Sequence, residues 1–179
     1  MSITTSTKAR NDYSRSDIEA LRDLKEAVYP PEEQGDWEGS SRDWAGPQWG
    51  VFVWGDTGEL VSYTGVVRRE GAVDGNPTTI GGVGGIATHP DHRGRGYAAL
   101  GMGRALDKLV GMDTDFALLV CRDELVPYYE GLGWRLFEGT VVDTQFGEPE
   151  TFTFNRVMVG DLISTAPSDG TIDLMGPPW

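Results

Sequence analysis

Apolar residues recur at Ile18, Leu21, Leu24 and Val28, a spacing that sets them along one face of a helix. Ser16-Asp17-Ile18-Glu19 has the S-x-x-E form of a capping box, in which two side chains satisfy each other's orphan amides. Tyr29-Pro30-Pro31 then stops the helix, because a residue before proline is pushed out of the helical region. From Pro30 to Pro47 no period survives, and a loop of that length in a small protein is usually functional or disordered. Trp49 to Trp54 and Leu60 to Arg69 read as two strands of a hairpin about Gly55-Asp56-Thr57-Gly58. Thr78 to Thr88 reads as a third strand, despite glycines at 81, 82, 84 and 85. Ala98 to Val110 is helical, with Ala99, Met102, Leu106 and Leu109 on one face, and Phe116 to Cys121 is a short apolar run suited to a strand buried on both sides. A short helix over Leu125 to Leu132 and strands over Trp134 to Thr144 and Thr151 to Val159 complete the pattern.

Composition narrows the class. With 179 residues, 39% hydrophobic and 24% charged, the chain reads as one soluble α/β domain over residues 1–179. No apolar run approaches the roughly 18 to 20 residues that cross a bilayer, so no membrane is expected. Met1-Ser2-Ile3-Thr4-Thr5-Ser6 lacks a secretion pattern, and a lone cysteine, Cys121, fits a reducing compartment, so a cytoplasmic location is expected. A net charge of −13 argues against nucleic acid. From Asp123 onward ten acids face two arginines, either a solvated surface that aids solubility or a field that draws cationic amines.

The chemistry concentrates in Gly81 to Ala98, GGVGGIATHPDHRGRGYA. Glycine weakens a strand, so four in five residues point to a bulge or to close approach of another backbone or a ligand. Arg93-Gly94-Arg95-Gly96-Tyr97-Ala98 then opens a helix, whose N-terminus and flanking arginines form a cradle for a pyrophosphate. The pattern G-x-x-x-x-G-K-[ST] is absent. Gly94-x-Gly96-x-x-Ala99 does match a dinucleotide fingerprint, with Asp115 about 20 residues on. That fingerprint normally follows its strand directly, whereas His89-Pro90-Asp91-His92-Arg93 intervenes here.

Arg93-x-x-Gly96-x-Ala98 resembles the [QR]-x-x-G-x-[GA] signature of the GNAT acetyltransferases, and Tyr128-Tyr129-Glu130-Gly131-Leu132-Gly133-Trp134 resembles their F-Y-x-x-x-G-[FW] element. The resemblance spans about Trp49 to Val159. The long acidic loop and the closing Ile172 to Trp179 look more loosely like the aminoglycoside 2′-N-acetyltransferase branch. It implies a twisted mixed sheet of six to seven strands, a splayed central parallel pair and helices on both faces. It also implies acetyl-CoA as co-substrate: pantetheine along Ile86-Ala87-Thr88, pyrophosphate on Arg93, Gly94, Arg95, Gly96, Tyr97 and Ala98, and an amide near Ile86 facing the thioester oxygen. Dimers are common in such proteins, so a homodimer is an assembly the resemblance allows.

The implied reaction is attack by a neutral amine of a small molecule, with an aminoglycoside or amino sugar as the favoured acceptor and Tyr129 as general acid to the leaving thiolate. Packing alone is the rival role for Tyr129. In the aminoglycoside branch a glutamate stands at the position held here by Gly84, which leaves the base open among Glu32, Glu33, Asp36, Asp43, Glu124, the carboxylate of Trp179 and water. A peptide acceptor, a longer acyl chain and a CoA-binding sensor without turnover are the alternatives. Asp36, Trp37, Asp43, Trp44 and Trp179 are candidates for the acceptor wall, though Trp37, Trp44 and Trp49 could equally be core anchors. His89 and His92 have poor spacing for zinc and suit a turn, no metal is expected, and Cys121 reads as a small core residue.

Overall fold

The computed structural model describes residues 3–30 and 38–179. The candidates Glu32, Glu33, Asp36 and Trp37 lie outside them. Chain order runs β1 (Thr4–Ala9), α1 (Arg15–Val28), β2 (Trp49–Trp54), β3 (Leu60–Val73), β4 (Asn76–Thr88), α2 (Tyr97–Val110), β5 (Phe116–Cys121), α3 (Val126–Glu130), β6 (Arg135–Leu136), β7 (Thr140–Gln145), β8 (Glu148–Thr151), β9 (Arg156–Asp161) and β10 (Thr171–Asp173).

Among the described residues one mixed sheet takes in ten strands in the order β6-β9-β5-β4-β3-β10-β7-β8, with β2 and then β1 branching from β3. The long β3 makes this possible: its first half pairs with β2, and Ala72 and Val73 near its end pair with β10. Most pairs are antiparallel, and the exceptions are β4 with β5 and β10 with β7. The expected six or seven strands fall short of ten because the extra ones carry no apolar alternation. Thr4–Ala9 is rich in Thr, Ser and Lys, Glu148–Thr151 is exposed throughout, and Thr171–Asp173 is three residues long with only Ile172 in the core.

Two of the expected strands are each broken in two. Leu136 ends one piece and Thr140 begins the next, because Gly139 turns so tightly against Gly170 that a Cβ would meet its carbonyl. Phe152 to Asn155 likewise separates β8 from β9, with Phe152 turned into the core. The helix expected over Leu125 to Leu132 shortens to Val126–Glu130 after a single turn at Asp123–Leu125.

Helix α1 begins two residues earlier than its S-x-x-E pattern suggests. Ser14 is the N-cap and its hydroxyl accepts from the Asp17 amide, while Asp17 accepts from the Ser14 amide. Lys8 donates to both oxygens of the same carboxylate at 2.8 Å. Asp17 is therefore buried, and Ile18 is turned out at 56% exposure. Leu21 and Leu24 pack on Phe52, Tyr63 and Ala87 of the sheet. The opposite face takes α2 and α3, with Met102, Ala105, Leu109 and Tyr129 against Val51, Val66, Val83 and Leu119. A third cluster, on the α1 side but farther along the strands, joins Ile80, Phe116 and Leu118 to Phe137, Val141, Phe152, Ile172 and Trp179 from the C-terminal half.

Candidate active site

The glycines of β4 do three different jobs. Gly81 leaves room for Leu109, whose methyl groups would lie 2.6 and 2.8 Å from a Cβ there. Gly85 sits at φ +58, a left-handed value that L side chains rarely adopt. It forms a bulge, since Tyr63 pairs with Ala87 and Gly65 with Gly84, so Thr64 alone opposes Gly85 and Ile86. Gly82 and Gly84 leave space for Trp179 on the other face of the strand.

Beside the bulge the sheet opens. β4 and β5 pair in parallel only at Ile80, Gly81 and Gly82 with Phe116, Ala117 and Leu118. Beyond Gly82 the two strands separate, while β5 stays paired with β9 through Cys121. The β5 edge facing the gap and the bulged stretch Gly85-Ile86 therefore border one cleft. The far rim is fixed by Ser62, whose hydroxyl donates to the Ala87 carbonyl at 3.0 Å and shares a hydrogen bond with the Thr88 hydroxyl at 2.9 Å.

The chain leaves β4 through a tight turn at Pro90–His92, in which His89 Nδ1 accepts from the Asp91 amide. The two histidines thus shape the turn, with rings 5.5 Å apart. Gly94 (φ +73) and Gly96 (φ +79) follow, both left-handed, and Gly96 is the N-cap of α2. Among the described residues no side chain caps this helix, and no acid stands in its first turn, so its first amides lie unsatisfied at the positive end of the helix dipole. Among the described residues neither Arg93 nor Arg95 forms an ion pair, and Arg93 donates to the Thr88 carbonyl. Left-handed glycines, a helix N-terminus and two arginines without ion pairs are features that anion-binding loops use.

Tyr129 lies in the cluster with Val83, Leu119 and Cys121, at 7% exposure. Burial raises its phenol above the ordinary tyrosine value, with Cys121 and Tyr128 adding to the shift. The Cys121 thiol is pushed up to about 11, by burial first and by Asp123 and Glu124 after it. A thiol so protonated is a poor nucleophile, in keeping with a packing role.

Asp115 has no place in a cofactor site. Its carboxylate accepts from the Thr79 amide (2.8 Å), the Thr78 and Thr79 hydroxyls (both 2.9 Å) and the Ser164 hydroxyl (3.2 Å). These bonds, the backbone one foremost, hold it below the usual carboxylate range and lock the start of the parallel pair.

The proposed acceptor wall divides. Trp179 is 7% exposed and lies under β4, so its ring is part of the floor. Asp43 takes the Phe146 amide, and its backbone exchanges bonds with Gln145. Trp44 donates to the Gly39 carbonyl and meets the Phe154 ring edge-on at 5.8 Å. Trp49 packs on the α2 cluster, the anchor role.

Sequence reasoning missed the device that holds this loop. Arg42 donates to the fully buried Asp143 and to Glu150, both at 2.8 Å, and its guanidinium covers the Phe152 ring at 5.4 Å. Gln145 donates to Asp143 at 2.7 Å. One signal was available: Asp143 and Gln145 alternate with Val142 and Thr144 where an inward face calls for apolar residues. Also missed was a cavity of about 910 Å³ that opens at the end of β5, floored by Phe137, Phe152 and Phe154. Its acids include Asp123 and Glu124, paired to Arg156 and Arg122, and Glu138, for which no ion pair forms among the described residues.

A family model for the acetyltransferase (GNAT) domain matches residues 11–137. No curated protein matches the chain. Among solved structures, Escherichia coli ElaA is similar at 18% identity and a TM-score of 0.63, over 89% of this chain and 100% of that one. An acyl-CoA N-acyltransferase from Pseudomonas aeruginosa is similar at 21% identity and a TM-score of 0.61, over 88% and 99%. The E. coli GNAT family N-acetyltransferase YhbS, solved in complex with CoA, is similar at 15% identity and a TM-score of 0.62, over 97% and 91%.

Proposed function

Because the chain belongs to the GNAT acetyltransferase domain family, we propose that it moves an acetyl group from acetyl-CoA to a primary amine of a small molecule. Membership makes it an acyltransferase with acetyl-CoA as co-substrate. The observation that carries the rest is the parting of β4 and β5 beside the Gly85-Ile86 bulge, continuous with the uncapped start of α2. Acetyl-CoA lies along Ile86, Ala87 and Thr88 as an added strand, with its pyrophosphate on the amides of Arg93 to Ala98. The thioester oxygen faces the bulge amide near Ile86, a donor already in place before charge develops.

The amine attacks the thioester carbon in a ternary complex. A tetrahedral oxyanion forms, the carbon–sulfur bond breaks, and the thiolate takes a proton from the Tyr129 hydroxyl while the new amide loses one to water. A buried phenol holds its proton throughout the neutral range, as a general acid must. The acceptor enters from the cavity at the end of β5, where Glu138 receives its ammonium and the phenylalanine floor its body. An amino sugar or aminoglycoside heads the acceptors to test, and the reaction belongs in the cytoplasm, where a lone thiol such as Cys121 stays reduced.

The test is thiol release from acetyl-CoA with aminoglycosides, simple amines, polyamines, amino acids and short peptides. Turnover with small amines supports the proposal, and restriction to 2′-amino aminoglycosides would fix its finer form. Turnover with peptides alone would replace the acceptor class. Tight acetyl-CoA binding with no turnover on any amine would overturn catalysis in favour of a sensor.

A further inference from the structure

Trp179 occupies an unusual position for a candidate acceptor residue. A Cβ on Gly82 would lie 2.2, 2.4 and 2.5 Å from three atoms of its indole, and one on Gly84 would lie 3.0 Å from its main-chain carbon and 3.3 Å from its oxygen. The residue therefore runs flat along the bare underside of β4. Its Nε1 donates to the Leu118 carbonyl of β5 at 3.0 Å. Gly82 and Leu118 are the last pair of the parallel ladder, so the indole spans both strands at the level where they part. Arg69 covers the ring at 5.1 Å and donates to the Pro177 carbonyl at 2.8 Å, and the Pro178 carbonyl accepts from the Ala45 amide. The crossing piece is thus fixed from β3 and from the loop that carries Asp43 and Trp44.

We propose that Trp179 is a positioning residue: a crossbar that sets the separation of β4 and β5 beneath the thioester, and through Pro178 and Ala45 couples that separation to the acceptor loop. This rests on the acetyl-transfer reading of the cleft. It also accounts for the missing glutamate, since a side chain at position 84 and Trp179 compete for one space. The crossbar acts on the pantetheine and thioester end of the cofactor. The phosphate seat proposed at Arg93 to Ala98 lies on the turn after β4 and the start of α2, whereas the indole lies at Gly82 and Leu118.

The experiment compares Trp179→Phe, Trp179→Ala and Gly82→Ala with the natural chain. Trp179→Phe keeps a ring but loses the bond to Leu118, and Gly82→Ala displaces an intact indole. Calorimetric titration uses two probes, acetyl-CoA and its 3′-phospho-ADP fragment, alongside kcat, KM and Tm. The expected result is a fall in kcat of tenfold or more in all three, weaker binding of acetyl-CoA by several fold, and fragment binding unchanged within twofold. Equal weakening of both probes, in step with Tm, would overturn the crossbar in favour of general loosening. Unchanged kcat and acetyl-CoA binding in folded Trp179→Phe and Gly82→Ala would overturn it outright. Failure of the natural chain to turn over any amine would defeat the catalytic reading alone, because the ratio of the two affinities still tests the crossbar.

Discussion

Tyr129 and Gly84 are the residues on which the proposed chemistry turns. Removing a general acid commonly costs about 10²–10⁴ in rate, so Tyr129→Phe is expected to lower kcat at least 100-fold while acetyl-CoA affinity holds. A variant that keeps its kcat would leave Tyr129 as packing only. The shift of its pKa also has a sign. Burial raises the phenol, so the acid form survives to higher pH than a free tyrosine would allow, and the kcat profile should show no falling limb below about pH 10. A falling limb near pH 8 in a pH–rate series would assign the acid to another group. At Gly84 the looser resemblance to the aminoglycoside branch suggests adding a carboxylate, and the packing opposes it. Gly84→Glu is expected to lower Tm and to leave kcat no higher, because its Cβ would press on the main chain of Trp179. A gain in kcat with a new acidic limb would show that the space can be shared.

At the scale of elements, Asp115 shows how the parallel pair is fastened before it parts. Its carboxylate bonds to Thr78, Thr79 and Ser164, and these stabilise the folded chain above the ordinary carboxylate pKa and fade as pH falls through the lowered one. Asp115→Asn should cost about 2 kcal/mol at pH 7, or roughly 4–8 °C in Tm for a chain of this size. The difference from the natural chain should shrink in melts run below pH 4, and a constant difference would place the effect elsewhere. The strands, bulge and helix start from Trp49 to Cys121 were legible because glycine, apolar runs and arginines sit there in a pattern with few physical readings. The left-handed turn at Gly94 and Gly96 and the bulge at Gly85 follow directly from that pattern. The C-terminal half was less so. Its strands are short, several of them mostly polar, and their register comes from long-range pairing with β3 and β5 that no local period signals. Trp179 carried no sign that it would lie beneath β4, because its partner Gly82 is far away in sequence and no local pattern links the two.

Across the whole molecule the charge is uneven, and the imbalance bears on how substrates arrive. The net charge is −13, and ten of the acids follow residue 122 in the half that builds the cavity. Arg122 and Arg156 neutralise Glu124 and Asp123 there, so short-range attraction to a cation falls to Glu138, while the remaining acids act as a long-range field. Such a field is screened once the Debye length drops to about 10 Å at 0.1 M salt. If it draws the acceptor in, kcat/KM for an amine must fall as salt rises, and the slope must steepen with the number of charges on the amine. Mono- and diamines of similar length, each measured between about 20 and 300 mM salt, separate the two readings of the acidic surface. A slope that roughly doubles from mono- to diamine assigns the surface to substrate capture. Equal slopes would leave it as a solubilising coat, with recognition resting on Glu138 and the phenylalanine floor; Glu138→Gln should then raise KM for both amines alike without altering KM for acetyl-CoA.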